Sequence, residues 1–77
     1  MMTLWDVPGG QSVIVTALDA ALDPSVHSRL REMGLEHDHA VHCLRRGPFQ
    51  GTLVVAIADC VYSLEQQIAK KIQVKPL

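Results

Sequence analysis

The residues with the clearest potential for chemistry lie close together near the middle of the chain. They are His37, His39, His42 and Cys43, all of types that bind transition metals, with Asp38 as a further oxygen ligand. Their spacing matches no closed zinc motif such as paired Cys-x-x-Cys elements. Strand alternation also places Cys43 on the opposite sheet face from His42. We interpret the histidines as solvated turn residues, keep an incidental surface metal site as the alternative, and predict no resident metal or cofactor.

Catalytic chemistry has little support in the sequence. None of the serines has a neighbouring acid-base pattern, and neither a nucleophile elbow nor a phosphate-binding glycine motif is present. The pair Gly9 and Gly10 leads into a strand-like segment and not into a helix, so it lacks the converging N–H groups that hold a phosphate. We predict that the chain is not an enzyme.

A third group of residues is suited to recognition of a protein surface. Arg45, Arg46, Pro48 and Phe49 fall in one segment that combines two guanidiniums, a proline and the single phenylalanine of the chain. One interpretation makes this segment a partner-binding site. The other folds Phe49 down to cap the core and leaves both arginines solvated. These four residues are our candidate binding site.

The composition limits the kinds of protein to which these residues can belong. The chain has 77 residues, enough for one domain over 1–77 with a thin core. Seven basic against eight acidic residues give a net charge of -1, and 4% of the residues are aromatic, so phosphate attraction and base stacking are both weak. No uncharged run approaches the roughly 20 residues of a spanning helix, and no secretory signal opens the chain. We expect a cytoplasmic protein that binds no nucleic acid and does not insert into membranes.

The elements that must position the candidate residues follow from turn signals and periodicity. Five segments have the composition or alternation of strands: 11–18, 40–46, 52–57, 60–63 and 71–77. The third and fourth are joined by Ala58 and Asp59, a connection short enough for a hairpin. Residues 64–69 could form one helical turn before the last strand.

A helix is predicted between the first two strands, where the apolar period changes. The apolar positions of this segment are Val26, Leu30 and Met33, at spacings of four and three. Asp23 is a good N-cap and Pro24 suits the first helical position. Gly34 can take the left-handed conformation that ends a helix, after which Leu35 folds back on the last turn.

Five short strands and one short helix bury their apolar faces best when one sheet curls on itself. The expected fold is therefore all-β with one helix, a small barrel of about five strands. Cys43 and Cys60 both lie in apolar strands, so we predict buried, reduced thiols, with a disulfide between them as the alternative. Trp5 and Tyr62 are expected in the core or at its rim.

Landmarks along nearly the whole chain resemble the FeoA family, the small cytosolic component of bacterial ferrous-iron uptake. They are Leu4, Asp6 and Gly10; Arg29, Leu30, Met33, Gly34 and Leu35; Arg45, Arg46, Gly47, Pro48 and Phe49; and Ile72 and Val74. The resemblance implies an SH3-like barrel, in agreement with the barrel argued from strand number. It also implies that the protein acts on FeoB, a membrane iron transporter with a cytosolic GTPase domain.

The chain departs from the family pattern at three points. His37 and Asp38 stand where many relatives have Pro-Gly, so the turn there must use a different conformation. Relatives often have basic residues near Ala58 and Asp59, and a basic residue where this chain has Glu65. If the partner recognises positive charge on that edge, the interaction is altered here.

Three functions follow, from different classes. The first is a non-enzymatic regulatory module that binds the cytosolic part of a FeoB-like transporter and modulates its activity or assembly. The second is a metal-responsive sensor that uses His37, His39 and His42. The third, an RNA-binding small barrel, rests on fold analogy alone. A small barrel with an open edge also leaves a homodimer as an option.

Overall fold

The computed structural model describes residues 2–77 as five antiparallel strands and two α-helices. The strands are β1 (Ser12–Leu18), β2 (Ala40–Arg46), β3 (Thr52–Ile57), β4 (Cys60–Glu65) and β5 (Ile72–Pro76); the helices are α1 (Pro24–Met33) and α2 (Gln66–Ala69). A single turn of 3₁₀ helix at Leu4–Asp6 and a turn at Pro48–Gln50, in which the backbone of Phe49 is not helical, were not foreseen from the sequence. Strand β4 runs two residues further than predicted, which shortens the expected helical turn to α2.

All five strands belong to one sheet with the order β4-β3-β2-β1-β5. The hairpin prediction is confirmed, because Ile57 pairs with Cys60 across the two-residue turn. The register shifts once between β1 and β5, at Val15, and once between β2 and β3, after Cys43. Such irregularities bend a strand and increase its twist, which lets a short sheet curl into a barrel.

The two edge strands differ in what lies beside them. The N-terminal segment runs along β5, where Thr3 forms a bridge with Gln73 and the Val74 N–H donates to the Met2 carbonyl at 3.0 Å. No strand in residues 2–77 pairs with the outer side of β4. One edge of the sheet is therefore covered and the other is open.

Helix α1 begins and ends at the predicted residues. The Asp23 carboxylate accepts from the Ser25 N–H at 2.9 Å, which satisfies one of the free donors at the helix start. Gly34 is left-handed, with φ 98°, and the Leu35 N–H donates to the Leu30 carbonyl at 2.9 Å. This is the Schellman ending that the sequence predicts, and it carries the Leu35 side chain into the core, where it is fully buried.

The core is built from alternate strand residues on the inner face of the curled sheet. Val41 and Cys43 are buried while His42 between them is half-buried, as the alternation predicts. Leu30 of α1 and Leu4 of the N-terminal turn are also buried in this core. No polar or charged residue in 2–77 is buried. Packing of apolar side chains therefore supplies the stability of the barrel.

The two cysteines occupy different environments, and the prediction that both are buried is wrong for Cys60. Cys43 lies in the barrel interior, and burial raises the pKa of its thiol. Cys60 is exposed, because it begins β4 directly after the turn, at the open edge of the sheet. Neither cysteine is in a disulfide.

Both helices are short, with ten residues in α1 and four in α2. A single pass through a bilayer needs about 20 apolar helical residues. Over residues 2–77 no helix has the length and apolar character for a membrane crossing.

Candidate protein-binding site

The structure brings only part of the histidine cluster together, because His37 and His39 line one surface pocket while His42 lies elsewhere. His42 lies in β2 with its Nδ1 2.8 Å from the Ser12 Oγ on the neighbouring strand. His39 Nδ1 is 3.0 Å from the Gly34 carbonyl oxygen at the end of α1, and His37 lies on the exposed turn beside Asp38. Among residues 2–77, no three His, Cys, Asp or Glu side chains are arranged to hold a metal ion.

The turn that carries His37 and Asp38 is fixed by its backbone. Asp38 adopts a left-handed conformation, with φ 70°, which aspartate tolerates better than most residues. Its N–H donates to the Val15 carbonyl at 2.8 Å, and the Val15 N–H donates to the His39 carbonyl at 3.0 Å. The turn is thereby tied to β1, and its histidines serve as exposed connecting residues.

The segment 47–51 between β2 and β3, here the Phe49 loop, presents its aromatic ring to solvent. Phe49 is fully exposed, so the interpretation that it caps the core is wrong. The physical reason lies in the backbone, because Phe49 and Gln50 are both left-handed, with φ 61° and 58°. This conformation turns the ring away from the barrel, and it costs roughly 1–2 kcal/mol for each residue other than glycine.

Glycine is required at the start of this loop. A Cβ atom on Gly47 would clash with the Thr52 Oγ1. The close approach allows the Gly47 N–H to donate to the Thr52 carbonyl at 2.9 Å. At the other end of the loop, the Gly51 carbonyl accepts from the Gln66 N–H at 3.2 Å. Both ends are anchored, and Phe49 projects from between them.

The two arginines before the loop have different roles. Arg45 is exposed, as predicted for a solvated side chain. Arg46 is half-buried, with its guanidinium 4.4 Å from the Trp5 ring centroid and donating to the Trp5 and Val7 carbonyls. This cation–π contact and the two hydrogen bonds join the N-terminal turn to the base of the loop. The prediction that both arginines are solvated is therefore wrong for Arg46.

The Arg46–Trp5 contact could not be read from the sequence. The two residues are 41 positions apart, and no local motif links them. Phe49 was identified from its residue type, but the direction of its ring depends on two positive φ values that propensity does not predict. Arg45, Pro48 and Phe49 are all exposed, so this segment presents basic and apolar side chains to solvent.

The comparisons with known proteins agree with this architecture. The family model for the FeoA domain matches residues 2–76. The chain belongs to the FeoA family. The resemblance seen in the sequence is thus confirmed, and so is the SH3-like barrel, because a solved FeoA protein that superposes on this chain is described as an SH3 domain protein.

Two solved FeoA structures illustrate the similarity. The FeoA protein from Chlorobium tepidum is 26% identical, with a TM-score of 0.89 over 99% of this FeoA chain and 70% of its own. FeoA from Stenotrophomonas maltophilia, solved with zinc, is 28% identical, with a TM-score of 0.82 over 97% of this chain and 91% of its own. That protein is described as an SH3 domain protein for which a role as activating factor of bacterial ferrous iron transport is suggested.

The same barrel occurs within larger proteins. A manganese-dependent transcriptional repressor solved with manganese is 27% identical, with a TM-score of 0.87 over 99% of this FeoA chain but only 36% of the repressor. The match therefore covers only part of that protein. No curated protein sequence matches the chain.

Proposed function

We propose that this chain is a non-enzymatic accessory module of ferrous-iron transport that acts in the cytoplasm. It binds the cytosolic part of a FeoB-like transporter and modulates the activity or the assembly of that transporter. The observation that carries the binding role is the fully exposed Phe49, held away from the barrel by a strained loop. Membership of the FeoA family supports the connection with iron transport.

An exposed phenylalanine on a fixed loop is suited to binding a protein. Burial of a phenylalanine side chain contributes about 1.5–3 kcal/mol. Pro48 restricts the backbone just before Phe49, and the anchored loop ends limit its motion, so little conformational entropy is lost when a partner binds. Phe49 therefore acts as the anchor that fills an apolar pocket of the partner.

The arginines support the anchor in two ways. Arg45 is exposed four residues before Phe49 and is able to bond to carboxylates or carbonyls at the rim of such a pocket. Arg46 acts as a positioning residue, because its guanidinium already contacts Trp5 and the carbonyls of the N-terminal turn. We assign partner contact to Arg45, Pro48 and Phe49, and support of the loop to Arg46.

The decisive experiment measures GTP hydrolysis by the matching transporter in a reconstituted membrane, with and without this protein. We expect the protein to change the rate and Phe49→Ala to abolish the change, with binding to the cytosolic domain at least about tenfold weaker. Leu77→Ala is the matched control, because Leu77 is another exposed large apolar residue, at 71%.

Two outcomes would redirect or overturn this proposal. If the protein co-purifies with the transporter through Phe49 but leaves GTP hydrolysis unchanged, its role is in assembly. If it neither associates with the transporter nor alters its activity in any nucleotide state, the proposed function is wrong.

A further inference from the structure

Strand β4 offers unpaired backbone groups to solvent. Pairs in an antiparallel ladder alternate between hydrogen-bonded and non-hydrogen-bonded types. Ile57 and Cys60 flank the two-residue turn and so form a hydrogen-bonded pair. With no register shift along β4, the N–H and C=O groups of Val61 and Ser63 point away from β3. No other element in residues 2–77 bonds to them.

The open edge also lacks the usual protection against strand pairing. Native edge strands are commonly blocked by lysine, proline, a bulge or a covering segment. The five residues from Cys60 to Leu64 include no charge and no proline, and the register with β3 is regular. Within this stretch Val61 is 64% exposed. An unprotected edge of this kind is a template for another strand.

A groove lies directly beside this edge. It has a volume of about 240 Å³ and runs between α1, β4 and α2. Its apolar lining includes Val26 and Met33 of α1, Tyr62 of β4 and Ile68 of α2, all of them partly buried against the core. Arg29 and Glu65, which are of opposite charge, also line it. The groove can take apolar side chains from a chain that pairs with β4.

We propose that the β4 edge and this groove bind an extended segment of another protein, which adds to the sheet as a sixth strand. Its backbone bonds to Val61 and Ser63, and its alternate apolar side chains fill the groove. The inference rests on the proposed partner-binding function and adds a second contact surface, distinct from the Phe49 loop.

The chemistry of the site defines the occupant. Only another extended main chain matches a row of outward N–H and C=O groups. Arg29 and Glu65 favour a segment that carries both an acidic and a basic side chain over one of a single charge. A second copy fits less well, because the Leu64 of its own β4 is buried in its own barrel and leaves the groove unfilled.

Ser63→Pro tests the proposal, with Ser63→Ala as its matched control. Proline at this position removes the outward N–H but no bond to β3, so the barrel is retained. The probe is a displayed library of seven-residue peptides with apolar residues at alternate positions. We expect peptides to be enriched on the wild-type protein and on Ser63→Ala, with at least about tenfold weaker binding to Ser63→Pro. Thermal unfolding shows that both variants are folded.

The position of a bound peptide is read by NMR of the labelled protein. We expect a selected peptide to shift the amide signals of Val61 and Ser63 and to slow their hydrogen exchange. The proposal is overturned if no peptide is enriched or if Ser63→Pro binds equally well. It is also overturned if light scattering shows a dimer that Ser63→Pro dissociates, because a second copy then occupies the edge.

Failure of this inference can be told apart from failure of the proposed function. Binding of the transporter's cytosolic part is measured for Phe49→Ala and Ser63→Pro side by side. If only Phe49→Ala weakens binding, the Phe49 loop is the sole contact and the β4 inference fails. If wild type does not bind the transporter at all, the proposed function fails, and enrichment of peptides on β4 still reports on the edge.

Discussion

The two edges of the sheet, β4 and β5, have opposite relations to the rest of the chain. The outer side of β5 is bonded to the N-terminal segment through Thr3 and Met2, and the strand ends in Lys75 and Pro76. The outer side of β4 has neither a covering segment in residues 2–77 nor a charged or proline residue before Glu65. The chain therefore covers the β5 edge against pairing with another strand but leaves the β4 edge uncovered within residues 2–77.

The difference separates a structural edge from an edge available for binding. β5 contributes Ile72 and Val74 to the core, both buried. β4 contributes Leu64 but leaves Cys60 and Val61 exposed. Substitutions along β5 should therefore change stability, while substitutions of the exposed β4 residues should change binding.

The largest effect is expected from truncation of Ile72, one of the two buried residues on β5. Ile72→Ala should lower the free energy of unfolding by about 2–5 kcal/mol, whereas Val61→Ala on β4 should change it by less than about 0.5 kcal/mol. Urea denaturation followed by circular dichroism measures both. If Ile72→Ala leaves too little folded protein, Ile72→Val replaces it, with an expected loss of about 0.5–1.5 kcal/mol in the free energy of unfolding. Equal losses of unfolding free energy for Ile72→Ala and Val61→Ala would contradict the proposed difference between the β5 and β4 edges.

Hydrogen exchange compares the two edges in the unmodified protein. The Val74 N–H donates to the Met2 carbonyl at 3.0 Å, so we expect it to exchange slowly. The outward amides of Val61 and Ser63 have no such acceptor and should exchange at least about tenfold faster. NMR after transfer to deuterated water measures all three. Similar protection at these amides would show that β4 is covered in solution.

A smaller effect is expected where the N-terminal segment is held in place. The Asp6 carboxylate accepts from the Thr3 N–H at 2.9 Å and from the Thr3 hydroxyl at 3.0 Å. These bonds, the backbone one first, lower the pKa of Asp6 below its usual value. Asp6→Asn should lower the free energy of unfolding at neutral pH by less than about 1 kcal/mol, because the carboxylate is exposed and screened.

The sign of the pH dependence follows from the lowered pKa. A carboxylate with a depressed folded pKa contributes its stability above its unfolded pKa, and that contribution is lost as pH falls through the folded value. When pH falls from neutral to acidic, the free energy of unfolding should therefore decrease less for Asp6→Asn than for wild type, as measured by urea denaturation at both pH values. Asp23, whose pKa is lowered by its bonds to Ser25, is the control away from β5. Asp23→Asn should leave exchange at Val74 unchanged, whereas Asp6→Asn should speed it.

Much of the fold could be predicted because its signals are local. The ends of α1 follow from Asp23, Pro24 and Gly34, whose effects act within one turn of helix. The strand segments follow from β-branched composition and alternation, and the hairpin follows from a two-residue connection. The family landmarks are likewise a matter of order and spacing along the chain.

The candidate site could be predicted only in part. The sequence identified Phe49 and Arg45 by residue type, but it did not predict that Phe49 projects into solvent or that Arg46 contacts Trp5. It predicted that Cys60 is buried, because an apolar run does not reveal whether its strand lies at the edge of the sheet. The histidines looked like a cluster because they are near in sequence, yet their hydrogen-bond partners lie on different elements.

The sequence by itself determined the five strand segments, helix α1, the barrel class and the family, since each depends on the type, order and spacing of residues along the chain. Only the tertiary structure decided which side chains face solvent and which edge of the sheet stays open. Those properties depend on contacts between distant segments, such as Thr3 with Gln73 and Trp5 with Arg46. Burial of a side chain and protection of a sheet edge both require contacts between residues far apart in the sequence, and a local sequence pattern does not predict such contacts.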